Sequence, residues 1–229
     1  MVSVHLIAAG CSTENPPISH NNDNQVVTAP TTSKPGRDGL LILAFGDSLY
    51  AGYGVAPHDS FPAQLEKALR RDGLAATVHN AGVSGETSAA GLQRLAFTLD
   101  GLSRKPDLAL VGLGANDMLR GLDPAATSAN LLAICTALRG RDIDVMLTGM
   151  MAAPNLGQDY SRRFNRIFAE VASRCGATLY PFFLDGVIAQ PQLMLADRLH
   201  PNGAGIRRIV GSIKPSVARE LREQQPPSG

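Results

Sequence analysis

From residue 40 onward the apolar positions of this chain alternate between two rhythms. Short, mostly uninterrupted apolar runs at Leu40–Phe45, Ala76–Asn80, Leu108–Leu113, Ile143–Thr148 and Ala177–Tyr180 read as strands. Between them the apolar residues recur at helical spacing. Ser60 is expected to cap a helix whose Leu65, Ala68 and Leu69 share one face, ending at Asp72-Gly73, and Glu86–Leu99 is read as a helix with Leu92, Leu95, Ala96 and Leu99 as its stripe. Asp123-Pro124, a cap followed by proline at the first helical position, starts a helix that runs to Arg139. Asp159–Cys175 is closed by Gly176, and Asn202–Glu223 is the last helix.

Strands that are apolar on consecutive positions bury both faces, which requires helices on both sides of a mainly parallel sheet. The pattern therefore predicts an α/β fold: a three-layer α/β/α sandwich around a mainly parallel five-stranded sheet, of flavodoxin-like type. Function in such sheets gathers in the loops that leave the carboxyl ends of the strands. Ser48, Gly82–Glu86, Gly114–Asp117 and Met150–Leu156 follow the first four strands, and Asp197–His200 precedes the last helix.

Residues 39–223 are expected to form the domain and 224–229 a flexible tail. Residues 12–38, rich in Pro, Asn, Ser and Thr with few apolar groups, cannot bury enough surface to fold and read as a linker spanning roughly 30 Å by random-coil scaling. Ahead of it, Val2–Gly10 is mildly apolar and ends Ala8-Ala9-Gly10-Cys11, which resembles the lipobox of bacterial lipoproteins. Residues 1–11 are accordingly read as a truncated lipoprotein signal, with Cys11 a candidate lipid anchor and a periplasmic or envelope location. No Lys or Arg precedes the apolar run, a departure that a true start upstream of Met1 would explain. Without a signal the location would be cytoplasmic.

Composition narrows the chemistry. A net charge of +1 with no Lys/Arg cluster argues against nucleic acid and anionic membrane surfaces as partners. No apolar stretch is long enough to span a bilayer. Cys11, Cys135 and Cys175 match no disulfide framework and no CxxC metal spacing, and Cys135, inside an apolar helical pattern, is expected to pack as a small hydrophobe. His5, His20, His58 and His79 are scattered without metal-ligand spacing, so neither a metal nor a cofactor is expected.

Phe45-Gly46-Asp47-Ser48-Leu49 places one serine on a sharp turn directly after the first strand. A serine hydroxyl is inert at neutral pH unless a base takes its proton. Asp197-Arg198-Leu199-His200-Pro201 supplies an imidazole and, three residues earlier, a carboxylate able to hold the other ring nitrogen. Acyl transfer also needs donors for an oxyanion: the backbone N–H groups of Ser48 and Gly85 and the side-chain amide of Asn116 are the candidates, with Gly114 permitting close approach. Each feature alone has a bland reading as turn or cap chemistry, whereas their convergence on one sheet edge does not. Ser84, in Gly82-Val83-Ser84-Gly85, lacks the second glycine of a G-x-S-x-G elbow because Glu86 stands there, and reads as a turn residue. Leu49, Tyr53, Pro154 and Leu156 are candidates to line a substrate pocket.

Four blocks in order, Phe45-Gly46-Asp47-Ser48-Leu49, Asn80-Ala81-Gly82-Val83-Ser84-Gly85-Glu86-Thr87, Gly114-Ala115-Asn116-Asp117 and Asp197-Arg198-Leu199-His200-Pro201, resemble those of the SGNH/GDSL hydrolases. Gly121-Leu122-Asp123-Pro124 and Pro154-Asn155-Leu156-Gly157 through Tyr160 and Phe164-Asn165 are similar to the branch that holds bacterial arylesterases and multifunctional acyl-CoA thioesterase/lysophospholipases. The resemblance implies Ser48 as nucleophile, His200 as base, Asp197 as its partner, and Ser48, Gly85 and Asn116 as the oxyanion hole. It implies hydrolysis of small-molecule carboxylic esters or thioesters (aryl, short or medium acyl, or lysophospholipid) through an acyl-enzyme. An O-acetyl esterase acting on carbohydrate or peptidoglycan, and a non-catalytic binding domain on the same fold, are the alternatives. Acyl-chain preference and oligomeric state are not legible from these residues.

Overall fold

The computed structural model describes residues 39–223. The lipobox-like segment, the linker and the C-terminal tail lie outside the described residues. Five parallel strands, β1 (Leu40–Gly46), β2 (Ala76–Gly82), β3 (Leu108–Gly112), β4 (Asp144–Thr148) and β5 (Thr178–Tyr180), form one sheet in the order β2-β1-β3-β4-β5. This is the flavodoxin-like order that the alternating pattern predicts. Every residue of β1, the central strand of continuous apolarity, is buried.

Among the described residues seven α-helices flank the sheet: α1 (Ser48–Ala51), α2 (Phe61–Arg71), α3 (Ser88–Asp100), α4 (Ala115–Leu119), α5 (Pro124–Arg139), α6 (Gln158–Cys175) and α7 (Gly203–Glu223). Helix α2 packs on α7, while α3 packs on α5 and α5 on α6. Right-handed crossovers put these two groups on opposite faces, because the chain leaves β1 in one direction to reach β2 and then crosses back to β3. The reversal makes the gap between the carboxyl ends of β1 and β3 the switch point of the sheet, where a ligand crevice forms.

The boundaries show which local signals decide. Asp123 caps α5 as expected, accepting the Ala125 N–H at 3.1 Å, and the side chain of Asn202 accepts from Ala204 and Gly205 at the start of α7. Ser60 precedes α2 but does not cap it; its hydroxyl donates to the Pro57 carbonyl instead. Helix α3 begins at Ser88 rather than Glu86, because Thr87 is the side chain that caps it. The two short helices α1 and α4 have no apolar period to reveal them.

The expectation for the cysteines is overturned as well. Cys135 does not pack as a free thiol: it is joined to Cys175 in a disulfide with a Cα–Cα distance of 6.3 Å. The spacing of 40 residues carries no framework signal. The proximity arises only because α5 and α6, both crossovers between parallel strands, run side by side and bring their last turns together. Reduction of the bridge, or Cys135→Ser, is expected to lower the unfolding free energy by about 2–4 kcal/mol. Denaturant titration with and without reductant reads this loss, and ester hydrolysis by the still-folded protein should be unchanged, since neither cysteine lines the cleft.

Candidate active site

Three glycines stand in register at the carboxyl ends of the central strands, Gly46 opposite both Gly82 and Gly112. A methyl group at Gly46 or Gly112 would overlap the Tyr50 ring, and one at Gly82 would overlap the backbone of Ala51. Their missing side chains let α1 lie directly on the sheet edge, with Tyr50 buried and its hydroxyl 2.9 Å from Thr148 Oγ1. Asp47 caps this single turn by accepting the Leu49 N–H at 3.0 Å. Ser48 is thereby fixed at the first helical position, at the switch point.

The three separated polar residues converge there. His200 Nε2 lies 2.9 Å from Ser48 Oγ across 152 residues of sequence. Its Nδ1 lies 2.7 Å from Asp197 Oδ2. Asp197 is fixed in turn by accepting the backbone N–H groups of Leu199 and His200 on Oδ1, at 2.9 and 3.1 Å. The hydrogen bond from the His200 ring, reinforced by these two N–H groups, holds the Asp197 carboxyl down at about 2. An ionised carboxylate can only accept, so Nδ1 carries the ring proton and Nε2 presents its lone pair to the serine hydroxyl. Tyr53 covers the imidazole, with ring centroids 4.4 Å apart.

The N–H groups of Ser48 and Gly85 have no partner among the described residues. Gly85 occupies a left-handed turn at φ +78°, so no side chain screens its N–H. Asn116 sits at the start of α4 and donates one Nδ2 proton to Asp47 Oδ2 at 3.3 Å, which leaves the second free. All three line one cleft of about 550 Å³ together with His200.

Each of these donors is chain-adjacent to a buried carboxyl: Asp47 (1% exposed) precedes Ser48, Glu86 (7%) follows Gly85, and Asp117 (1%) follows Asn116. They are the only buried charged side chains among the described residues. Glu86 is gripped by Arg94 from Nε at 2.6 Å, and the same guanidinium donates to the carbonyls of Ala81 and Gly46 while stacking over Phe45. Asp117 accepts the Ser88 N–H at 2.8 Å and the hydroxyls of Ser88 and Thr127, tying α4 to α3 and α5. Sequence reading did not assign these roles, nor that of Arg94. The available signal was that each acidic residue abuts a candidate donor in a glycine-flanked loop.

The rest of the cleft wall is apolar. Leu49, Tyr53 and Pro154 line it as expected, joined by Met118, Met150, Met151 and Phe182. Leu156 is not among the lining residues: at the end of the short helical turn Pro154–Leu156 it is part-buried and packs against the core. Ser84 is a turn residue at the cleft margin. A larger hollow of about 790 Å³ between α5 and α6 contains none of the catalytic candidates. Among the described residues no group of His, Cys, Asp and Glu could hold a metal ion, and no helix is long and apolar enough to cross a membrane.

Residues 44–208 match the GDSL-like lipase/acylhydrolase family. The chain is 39% identical over 160 residues to an arylesterase of Vibrio mimicus, covering 70% of this chain and 79% of that one. It is 36% identical to a thioesterase 1/protease 1/lysophospholipase L1 of Escherichia coli, covering 72% of this chain and 76% of the relative. The crystal structure of AlinE4, an SGNH-hydrolase family esterase, is 49% identical with a TM-score of 0.69, covering 80% of this chain and 97% of that one. The chain belongs to the GDSL-like lipase/acylhydrolase family, and it is an ester-hydrolysing enzyme.

The site leaves a mark on stability. Burial, outweighing the hydrogen bonds from Leu49 and Asn116, pushes the Asp47 carboxyl from 3.8 up to about 7. Between those values the folded protein retains a proton that the unfolded chain has released, so this group lowers stability as pH rises through the window and adds nothing further above it. Asp197 acts oppositely, losing its contribution only as pH falls below 3.8 toward about 2. Denaturant unfolding from pH 4 to 7 is expected to show the Asp47 decline, and Asp47→Asn should remove that part of the slope.

Proposed function

We propose that Ser48, His200 and Asp197 are the nucleophile, general base and orienting acid of this esterase. The observation that carries the reading is the pair of contacts on one imidazole, 2.9 Å to Ser48 Oγ and 2.7 Å to Asp197 Oδ2. As Ser48 Oγ attacks the ester carbonyl carbon, its proton passes to His200 Nε2, and Asp197 stabilises the imidazolium that forms. The carbonyl oxygen becomes an oxyanion, received by the N–H groups of Ser48 and Gly85 and by Asn116 Nδ2. Collapse expels the alcohol or thiol, which takes the proton from His200 and leaves an acyl-Ser48. Water, deprotonated by the same nitrogen, attacks that ester, and release of the acid restores the serine.

The lining of Leu49, Met118, Met150 and Phe182 suits an alkyl or aryl acyl group and offers few partners for the hydroxyls of a sugar. Acyl and aryl esters or thioesters, including lysophospholipids, are therefore the proposed substrates, in keeping with the names carried by the arylesterase and thioesterase/lysophospholipase relatives. Ser48→Ala is expected to abolish hydrolysis of p-nitrophenyl esters and labelling by a fluorophosphonate, while Asn116→Ala should lower kcat roughly 10²–10³-fold. Wild-type rates in Ser48→Ala would end this account.

The enzyme is further proposed to work in the periplasm or envelope, anchored through Cys11. The Cys135–Cys175 bridge supports an oxidising compartment, and Ala8-Ala9-Gly10-Cys11 supplies the lipidation site. Intact mass of protein from the membrane fraction is expected to begin at a lipid-modified Cys11; an unmodified chain retaining Met1 refutes the anchor.

A further inference from the structure

We propose that Asp47 is a positioning residue that fixes which atom of the Asn116 amide faces the oxyanion. The inference rests on the proposed role of Asn116 as an oxyanion donor.

A half-turn about the last side-chain torsion of an asparagine exchanges its oxygen for its NH₂ with almost no change of shape. Something must break that near-degeneracy if Asn116 is to donate. Its side chain makes a single hydrogen bond among the described residues, from Nδ2 to Asp47 Oδ2 at 3.3 Å. Asp47 Oδ1 is already occupied by the Leu49 N–H. A carboxylate accepts and cannot donate, so only the orientation with NH₂ toward Asp47 is bonded. That orientation directs the second Nδ2 proton to the cleft. The flipped amide would set two acceptors against each other at Asp47 and present a carbonyl oxygen to the developing negative charge.

The selection depends on the charge of Asp47, because a protonated carboxyl can also donate and would accept the flipped amide. Several groups bear on that charge. Glu86 and Asp117 oppose ionisation from the neighbouring loops. Arg94 reaches the Gly46 carbonyl from α3. The Tyr50 hydroxyl lies below on α1, and His200 stands beyond Ser48. Burial already holds the carboxyl near neutrality, so the bias toward the donating orientation should strengthen as pH rises through that region.

Asp47→Asn is the isosteric test: it keeps the acceptor for Leu49 but puts NH₂ against Asn116, which selects the wrong amide orientation. The expected result is a kcat loss of roughly 10²–10³-fold on p-nitrophenyl acetate with KM little changed. In an Asn116→Ala background the same substitution should cost nothing more, since its effect runs through Asn116. Wild-type kcat in Asp47→Asn, or losses that multiply in the double variant, overturns the inference. Asn116→Ala with wild-type kcat would overturn the oxyanion reading together with it, whereas a crippled Asn116→Ala beside an unimpaired Asp47→Asn strikes this inference alone. Should Asp47→Asn fail to fold, the Asn116 side-chain amide protons can be followed by NMR in His200→Ala, where the imidazole does not contribute. They are expected to shift as pH crosses about 7, and a pH-insensitive pair overturns the proposal.

Discussion

The absence of three side chains at the sheet edge is the constraint on which the site depends. Gly46, Gly82 and Gly112 meet in register, and any methyl there would drive α1 off the strands that support it. Because the turn carrying Ser48 lies directly on the paired ends of the strands, the sheet's hydrogen-bond register sets the height of Ser48. Tyr50 fills the resulting shelf and locks it through Phe61, Phe183 and Thr148. Ser48 is therefore placed by the centre of the sheet, and His200 is brought to it from the long connection between β5 and α7.

The donors proposed for the oxyanion come from three separate turns, two of them at the starts of the short helices α1 and α4, and such connections are ordinarily the mobile parts of these folds. Here each is pinned by a buried acid beside it. Glu86 draws Arg94 across the ends of β1 and β2, Asp117 gathers α3 and α5 around α4, and Asp47 spans the β1 and β3 loops through Leu49 and Asn116. Buried charge is costly unless it is fully hydrogen-bonded, and no buried side-chain polar atom among the described residues lacks a partner. A site that must meet negative charge with fixed dipoles gains from such anchoring, since its donors need not reorganise when the charge forms.

Most of the fold was legible because continuous apolarity in β1, β3 and β4 can only mean burial on both faces, and because Asp123-Pro124 and Gly176 punctuate the chain unambiguously. Ser48, Gly85 and Asn116 were legible as candidates because turn chemistry puts them just after strand ends, and Asp197 and His200 because an acid and an imidazole stand three residues apart ahead of the last helix. What stayed hidden depends on distance in sequence. Cys135 and Cys175 meet only through helix packing, and Arg94 looks like an ordinary polar position on α3 until its carbonyl partners are seen. Leu156 packs against the core and is not among the cleft-lining residues, a placement that periodicity does not give for a single short helical turn.

The cleft wall built from Met118, Met150 and Met151 carries a liability as well as an aptitude. Thioethers bend to fit acyl groups of different outline, yet peroxide converts them to polar sulfoxides. Met151 is half-exposed at the mouth and would be modified first. Oxidant damage would thus roughen and polarise the cleft wall before it reached Ser48, leaving the serine intact in a pocket that no longer repels water.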